Sequence, residues 1–294
     1  MGKITRFLWN TPQLISLEGM NRVVSYLEQR NEYELFQSLS DKMPKKKCDD
    51  MPDDCEDDDE EIPCNPLPAT PIQIGVVEVC GDLTYKPSFD LCTDTTSYLD
   101  LEEDVKEMLE SGVKMLVMNY SSGGGEASHC FEIANNVRAL ADSYGVPIYA
   151  YVDECACSAA YAWAVIADEV YINPSAKAGS IGVLVAILDD SEAMKMKGYK
   201  RIFITSGDNK VPFDEEGAFK KEFLDKIQKE VNKANDEFAA HVSKYSGLSI
   251  EAIKAMQAEV YTAEESLSKG LVNGVMTQNQ FVDYITKKYE ELYT

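Results

Sequence analysis

Only two histidines occur in this chain, His129 and His241, so any base that the protein uses is one of these or a different kind of side chain. Basic residues are short as well. Against 51 Asp and Glu there are 28 Lys and Arg, which leaves a net charge of −23. That balance lacks the basic footprint needed to bind nucleic acid or to dock on an anionic membrane. No stretch approaches the ~18 consecutive apolar residues of a membrane span. Behind the basic residues at positions 1–12 there is no apolar run of signal-peptide length. These absences predict a cytoplasmic protein without a membrane span. The eight cysteines are irregularly placed and are expected to be reduced thiols. Cys48, Cys55 and Cys64 share an acidic tract, but intervals of seven and nine residues match no familiar zinc spacing. No metal and no cofactor are expected.

What is present falls into three parts. Residues 1–44 carry Met20, Val23, Val24, Leu27, Tyr33, Leu35 and Phe36 at roughly helical spacing, which predicts a small helical appendage. Residues 45–71 begin with Lys45-Lys46-Lys47, turn almost entirely acidic over 49–61 and end Pro-rich. Like charges in such a block repel and stay solvated, so a disordered linker is expected. From 72 to 294 apolar strand-like runs alternate with helical patterns. Strands are predicted over 72–79, 115–119, 147–152, 169–172, 181–187 and 200–205. Helices are predicted over 97–110, 126–144 and 158–167, the first two stopped by Gly112 and Gly145. A long amphipathic helix is predicted over about 215–245, stopped by Gly247, and Thr262-Ala263-Glu264-Glu265 reads as a capping box. This order predicts an α/β fold with a mostly parallel sheet and flanking helices.

The chemistry sits where these strands end. The strand-like run before Cys155-Ala156-Cys157-Ser158 delivers one serine to the start of an Ala-rich helix. A hydroxyl there gains from the unpaired N–H groups and dipole of the helix start, provided a base removes its proton. A serine before a helix is more often an N-cap, and its position alone does not separate the two uses. Some 35 residues upstream, about one βαβ unit, another strand runs into Ser121-Ser122-Gly123-Gly124-Gly125. Glycine lets a backbone N–H approach a reacting carbonyl closely, although a tight turn would use it equally. No Lys-Ser/Thr follows, which argues against a phosphate loop. Both histidines fit ordinary helix positions. A lysine base needs only partial burial, and Lys210 stands alone on the turn Ser206-Gly207-Asp208-Asn209-Lys210 among apolar residues.

These segments resemble the signal peptide peptidase A family, serine peptidases with the Clp-protease/crotonase-like fold. The resemblance spans about residues 72–285. It is carried by Ser121-Ser122-Gly123-Gly124, by Cys157-Ser158-Ala159-Ala160-Tyr161 and by Ala167-Asp168. Ala178-Gly179-Ser180-Ile181-Gly182-Val183, Ser206-Gly207-Asp208-Asn209-Lys210 and residues 267–272 complete it.

The resemblance implies Ser158 as nucleophile and Lys210 as general base. It implies an oxyanion hole from the N–H groups of Gly124 and Ala159, with Gly123 and Ser180 in support. The chain departs from the family's Ser-Pro-Gly-Gly by having Ser122, and from its Ser-Gly-Gly-Tyr by having Ala159 and Ala160. Those two methyls are expected to narrow the cleft.

Among members, phage-encoded head-maturation proteases are the most similar. They imply protein substrates such as capsid or scaffold proteins, a homo-oligomer, and a place in the host cytoplasm or procapsid. Two other readings stay open: a catalytically silent scaffold subunit of the same fold, and a crotonase-type acyl-CoA enzyme. The acidity of the chain argues against the second, whose ligand carries a pyrophosphate.

Overall fold

The computed structural model describes residues 13–15, 73–87 and 95–293. The helical pattern expected near residues 19–40, the acidic linker and Cys48, Cys55 and Cys64 lie outside the described residues. In chain order the strands are β1 (Gln13–Ile15), β2 (Ile74–Thr84), β3 (Thr95–Ser97), β4 (Met115–Glu126), β5 (Ile148–Cys157), β6 (Glu169–Ile172), β7 (Lys177–Gly179), β8 (Val260–Thr262) and β9 (Gly274–Val275). The helices are α1 (Tyr98–Glu110), α2 (Cys130–Tyr144), α3 (Ala159–Ala164), α4 (Ser191–Met196), α5 (Lys221–Ser246), α6 (Ile250–Ala255), α7 (Ala263–Ser268) and α8 (Gln278–Tyr293).

The main path of the sheet is β3-β2-β4-β5-β6-β9, and every pair along it is parallel. The expected α/β architecture with a mostly parallel sheet is therefore present. Strands buried on both faces read as continuous apolar runs, which explains why Met115–Met118 of β4 and Ile148–Val152 of β5 carry no charge. Alternate residues still choose sides. Leu116, Met118 and Tyr120 join the core under α1, α2, α3 and α5, whereas Met115 and Val117 face Phe281 and Ile285 of α8. α1 presents Tyr98, Leu101, Val105 and Leu109 to that core at helical spacing, and its N-cap Ser97 accepts the Asp100 N–H at 3.3 Å. α3 is wholly buried, which accounts for its alanines: only a small helix fits between the sheet and its covering helices.

Three expectations need correction. Residues 181–187 form only an isolated bridge at Leu184, and residues 200–205 form no strand. Their branched residues favour extended backbone, but a strand needs a partner edge, and Ile202 and Ile204 stand exposed instead, at 76% and 97%. The long helix begins at Lys221 rather than near 215, and only its last turns bury residues, Phe238, Ala239, His241 and Val242. α8 was not anticipated, although Phe281, Tyr284 and Ile285 have the i, i+3, i+4 spacing that marks such a helix. Thr262 does open α7 as a capping box implies, its N–H donating to Glu265 Oε2 at 2.9 Å. Among the described residues, no helix is long and apolar enough to cross a membrane.

Candidate active site

β5 ends at Cys157, α3 begins at Ala159, and Ser158 alone makes the turn between them, with φ 57° and ψ −120°. A non-glycine residue held there stores roughly 1–3 kcal/mol of backbone strain. An N-cap serine would have extended backbone and accept a bond from the first helical turn. Ser158 does neither. Its side chain makes no cap bond, and its Oγ is buried with no hydrogen-bond partner among the described residues. The backbone, by contrast, is fixed on both sides. The Ser158 N–H donates to Gly179 O at 2.8 Å, and the Ala162 N–H donates to Ser158 O at 3.0 Å. The turn from strand to helix is thus strained and withholds its hydroxyl from the helix, as in a nucleophile elbow, but here the Oγ is buried rather than exposed.

Below that turn the first amides of α3 have no intrahelical acceptor. Ala159 and Ala160 are fully buried. Their methyls fill the interior, so the expected narrowing of the cleft does not occur. At the other end of α3, Ile166 N–H bonds Trp163 O, and the Ala162 carbonyl accepts from His241 Nε2 at 2.8 Å. A carbonyl only accepts, so Nε2 carries the hydrogen. Burial lowers the His241 pKa to about 4, which leaves the ring neutral at pH 7. His241 is thus a clamp between α5 and α3. His129 caps α2 in a left-handed conformation, stacks on Tyr85 at 4.1 Å and lies 2.8 Å from Glu132 Oε2. Neither imidazole bonds the Ser158 hydroxyl.

The glycine turn stands level with the serine. β4 and β5 pair through Ser121↔Cys155 and Ser122↔Ala156, so two residues further on Gly124 and Ser158 come to neighbouring strand ends. A Cβ at Gly125 would lie 1.9 Å from Leu83 O, so only glycine lets β2 pack here, and Gly124 has φ +108°. Ser122, standing where the similar family has proline, donates through Oγ to Gly81 O at 2.7 Å and accepts the Gly124 N–H at 3.1 Å. The Gly124 amide is therefore engaged by a hydroxyl of its own loop. The sequence pattern offered one signal for this role of Ser122, the replacement itself.

Ser180 follows the Gly179 carbonyl that holds the Ser158 N–H. It is buried, with φ 53°, and its own N–H donates to Glu259 O at 2.8 Å. One residue further a cleft of about 300 Å³ opens along Ile181–Val183, with Asn232 and Asn235 of α5 across it. Lys210 makes no bond to the Ser158 hydroxyl. It ends the short turn Asp208–Lys210 on an arm, residues 183–220, and is exposed. Along the arm Arg201 pairs with Asp190 at 2.8 Å, and the rings of Phe203, Phe213, Phe219 and Phe223 meet in series at 5.7, 4.7 and 5.7 Å. The fold thus brings Gly123, Gly124, Ser158, Ala159 and Ser180 to one end of the sheet and leaves Lys210 unbonded to the serine. No group of metal-ligating side chains occurs among the described residues.

The chain is 26% identical over 175 residues to the head-tail preconnector protein of Enterobacteria phage P21, covering 60% of this chain and 34% of that protein. It is 25% identical over 167 residues to the capsid assembly protease C of Escherichia phage lambda, covering 57% and 38%. The chain thus spans little more than a third of the length of these phage relatives. A putative protease of Methanocaldococcus jannaschii is 29% identical over 203 residues, with 68% and 62% covered. Among solved structures, ClpP1 from Listeria monocytogenes superimposes with a TM-score of 0.42 at 13% identity, over 70% of this chain and 92% of that one. The model of peptidase family S49 matches residues 141–291, just over half of the chain, including Ser158, Ser180 and Lys210. The chain therefore belongs to peptidase family S49, a family of serine peptidases.

Proposed function

We propose that this protein is a serine endopeptidase working through a Ser–Lys dyad, with Ser158 as nucleophile and Lys210 as general base. The observation that carries the reading is the strained, buried Ser158 turn with an uncommitted hydroxyl. Neutral Lys210 Nζ takes the Ser158 proton as Oγ adds to the scissile carbonyl. The Ala159 N–H and the Gly124 N–H, the latter released by Ser122, hold the oxyanion. The protonated lysine then gives its proton to the leaving amine as the C–N bond breaks. Water deprotonated by the same lysine hydrolyses the acyl-enzyme to acid and free Ser158.

A lysine serves as a base only as the neutral amine, which burial favours, so the base role requires the arm to be covered. A second copy of the chain is the cover proposed here. Ile202 and Ile204 are strand-forming residues that lack a partner edge among the described residues of one subunit and would gain one in a homo-oligomer. Extended protein substrates would add as a strand along β4, with a small or apolar residue before the scissile bond. The likeness to the lambda and P21 proteins supports capsid or scaffold proteins as substrates, in the host cytoplasm or procapsid.

One set of observations favours a second reading. The exposed Lys210 and the occupied Gly124 amide also suit a catalytically silent assembly subunit. A fluorophosphonate probe separates the two. The enzyme labels at Ser158, located by peptide mass, and Ser158→Ala does not label; absence of labelling in the assembled wild-type protein overturns the peptidase reading.

A further inference from the structure

β4 has different neighbours on its two edges near the site. On one edge β2 stays beside it to the end, through Asp82↔Gly124 and Leu83↔Gly125. On the other, β5 pairs only as far as Ser122↔Ala156 and then leaves through Ser158 into α3. Had β5 run straight on, residue 158 would stand opposite Gly124. That place is taken by β1, which runs antiparallel with Ile15 opposite Gly124, Leu14 opposite Gly125 and Gln13 opposite Glu126. With β2 on the first edge, β1 must lie on the edge that β5 vacates, where the serine turn begins.

The geometry points to Gln13–Ile15 as an internal peptide ligand: part of the chain's own N-terminal region lies, as an added strand, in the groove where an extended peptide would meet Ser158. This deepens the peptidase reading above and rests on it for the identity of the groove. Strand addition draws its affinity from main-chain hydrogen bonds, so a segment of unrelated sequence competes for the same edge. A three-residue strand binds weakly. Its hold comes from belonging to the same chain, which makes the contact an intramolecular one. An occupant of this kind competes with substrate. It raises KM and leaves kcat unchanged, because a bound substrate has already displaced it.

The test uses the full chain with Leu14 and Ile15 both changed to proline. Successive residues of a strand aim their N–H groups at opposite edges, so one of the two prolines must delete a bond to β4. Hydrogen exchange is read at the amides of Gly124–Glu126, with the amides of residues 115–120 as internal control, and cleavage is read on fluorescein-labelled casein. The expected result is faster exchange at 124–126 with the control unchanged, and KM lower by roughly two- to tenfold at constant kcat. Unchanged exchange at 124–126 overturns the inference, as does faster exchange with KM unaltered. If casein is cut by neither protein, the exchange result decides the inference alone and the peptidase reading fails separately. Should the double variant loosen residues 115–120 as well, Leu14→Pro and Ile15→Pro made singly carry the same comparison, and the inference falls if neither speeds exchange at 124–126.

Discussion

Ser158 and Lys210 sit in regions built in opposite ways. The serine lies among fully buried residues, and its backbone is held from β7 on one side and α3 on the other. The lysine ends a short turn on an arm whose large apolar residues Tyr199, Ile202 and Ile204 are exposed. A nucleophile must be held where charge will develop, and rigidity there stabilises the transition state in advance. A base that works only when its charge is suppressed gains from arriving late. On this view one half of the dyad is set by folding and the other by assembly, which would keep unassembled subunits from cutting other proteins.

The comparison breaks most visibly at the two residues themselves. Ser158→Ala and Lys210→Ala are each expected to lower casein hydrolysis by ~10⁴-fold or more, and the double variant to be little worse, because such groups act as a unit. Folding stability separates them. Lys210→Ala should stay within ~0.5 kcal/mol of wild type in urea denaturation, since an exposed side chain away from any packed feature contributes little. A Lys210→Ala variant that keeps its activity would remove the arm from the mechanism.

The next effect tests how firmly the serine end is built. His241 is neutral in the fold, with its pKa lowered by burial to about 4, whereas an unfolded histidine titrates near 6.5. The unfolded chain therefore binds the proton first as pH falls. The contribution is complete above about pH 6.5, declines between 6.5 and 4, and is constant below, a loss of roughly 3 kcal/mol for this group. His241→Gln should flatten the stability profile across that window. A slope in urea denaturation that is identical in the variant would assign the acid sensitivity to other groups.

How much of this could be read from the chain alone differs between the same two regions. The strands ending at the site, the helices α1 to α3 and the serine at its turn were legible, because β4 and β5 are apolar runs and glycines mark the helix stops. Periodicity misled at 181–187 and 200–205. Branched residues state a preference for extended backbone, but pairing depends on an edge elsewhere, which no local pattern records. The role of Ser122 was hidden for a related reason: a hydroxyl's partner, here Gly81 O across the sheet, is a tertiary fact. β1 was equally out of reach, since its three residues pair with β4 over a hundred positions away.

A smaller effect addresses the arm. Ile204 is 97% exposed, so Ile204→Asp should leave the subunit's own stability within ~0.5 kcal/mol of wild type. If a second copy covers the arm, the carboxylate would have to be buried unpaired, at a cost of a few kcal/mol. Sedimentation should then show weaker self-association at micromolar protein, with activity lower by roughly tenfold as assembled subunits are lost. An unchanged assembly state would mean that the arm packs elsewhere, and the argument for cover by a second copy would fail.

The smallest effect is also the most discriminating about strain. At φ 57° and ψ −120°, Ser158 occupies backbone that glycine adopts freely and alanine does not. Ser158→Gly releases roughly 1–3 kcal/mol of local strain and removes a buried, unbonded hydroxyl. Against this stands the extra conformational freedom of glycine in the unfolded chain, about 0.5–1 kcal/mol. The balance predicts an inactive protein more stable than wild type by about 1 kcal/mol. Ser158→Ala also loses the hydroxyl but keeps the strained backbone, so it should fall between wild type and the glycine variant. Urea denaturation of the three proteins fixes the order. If glycine proves the least stable, the turn is not strained, and a serine held ready for attack at a cost to the fold is the wrong description of this site.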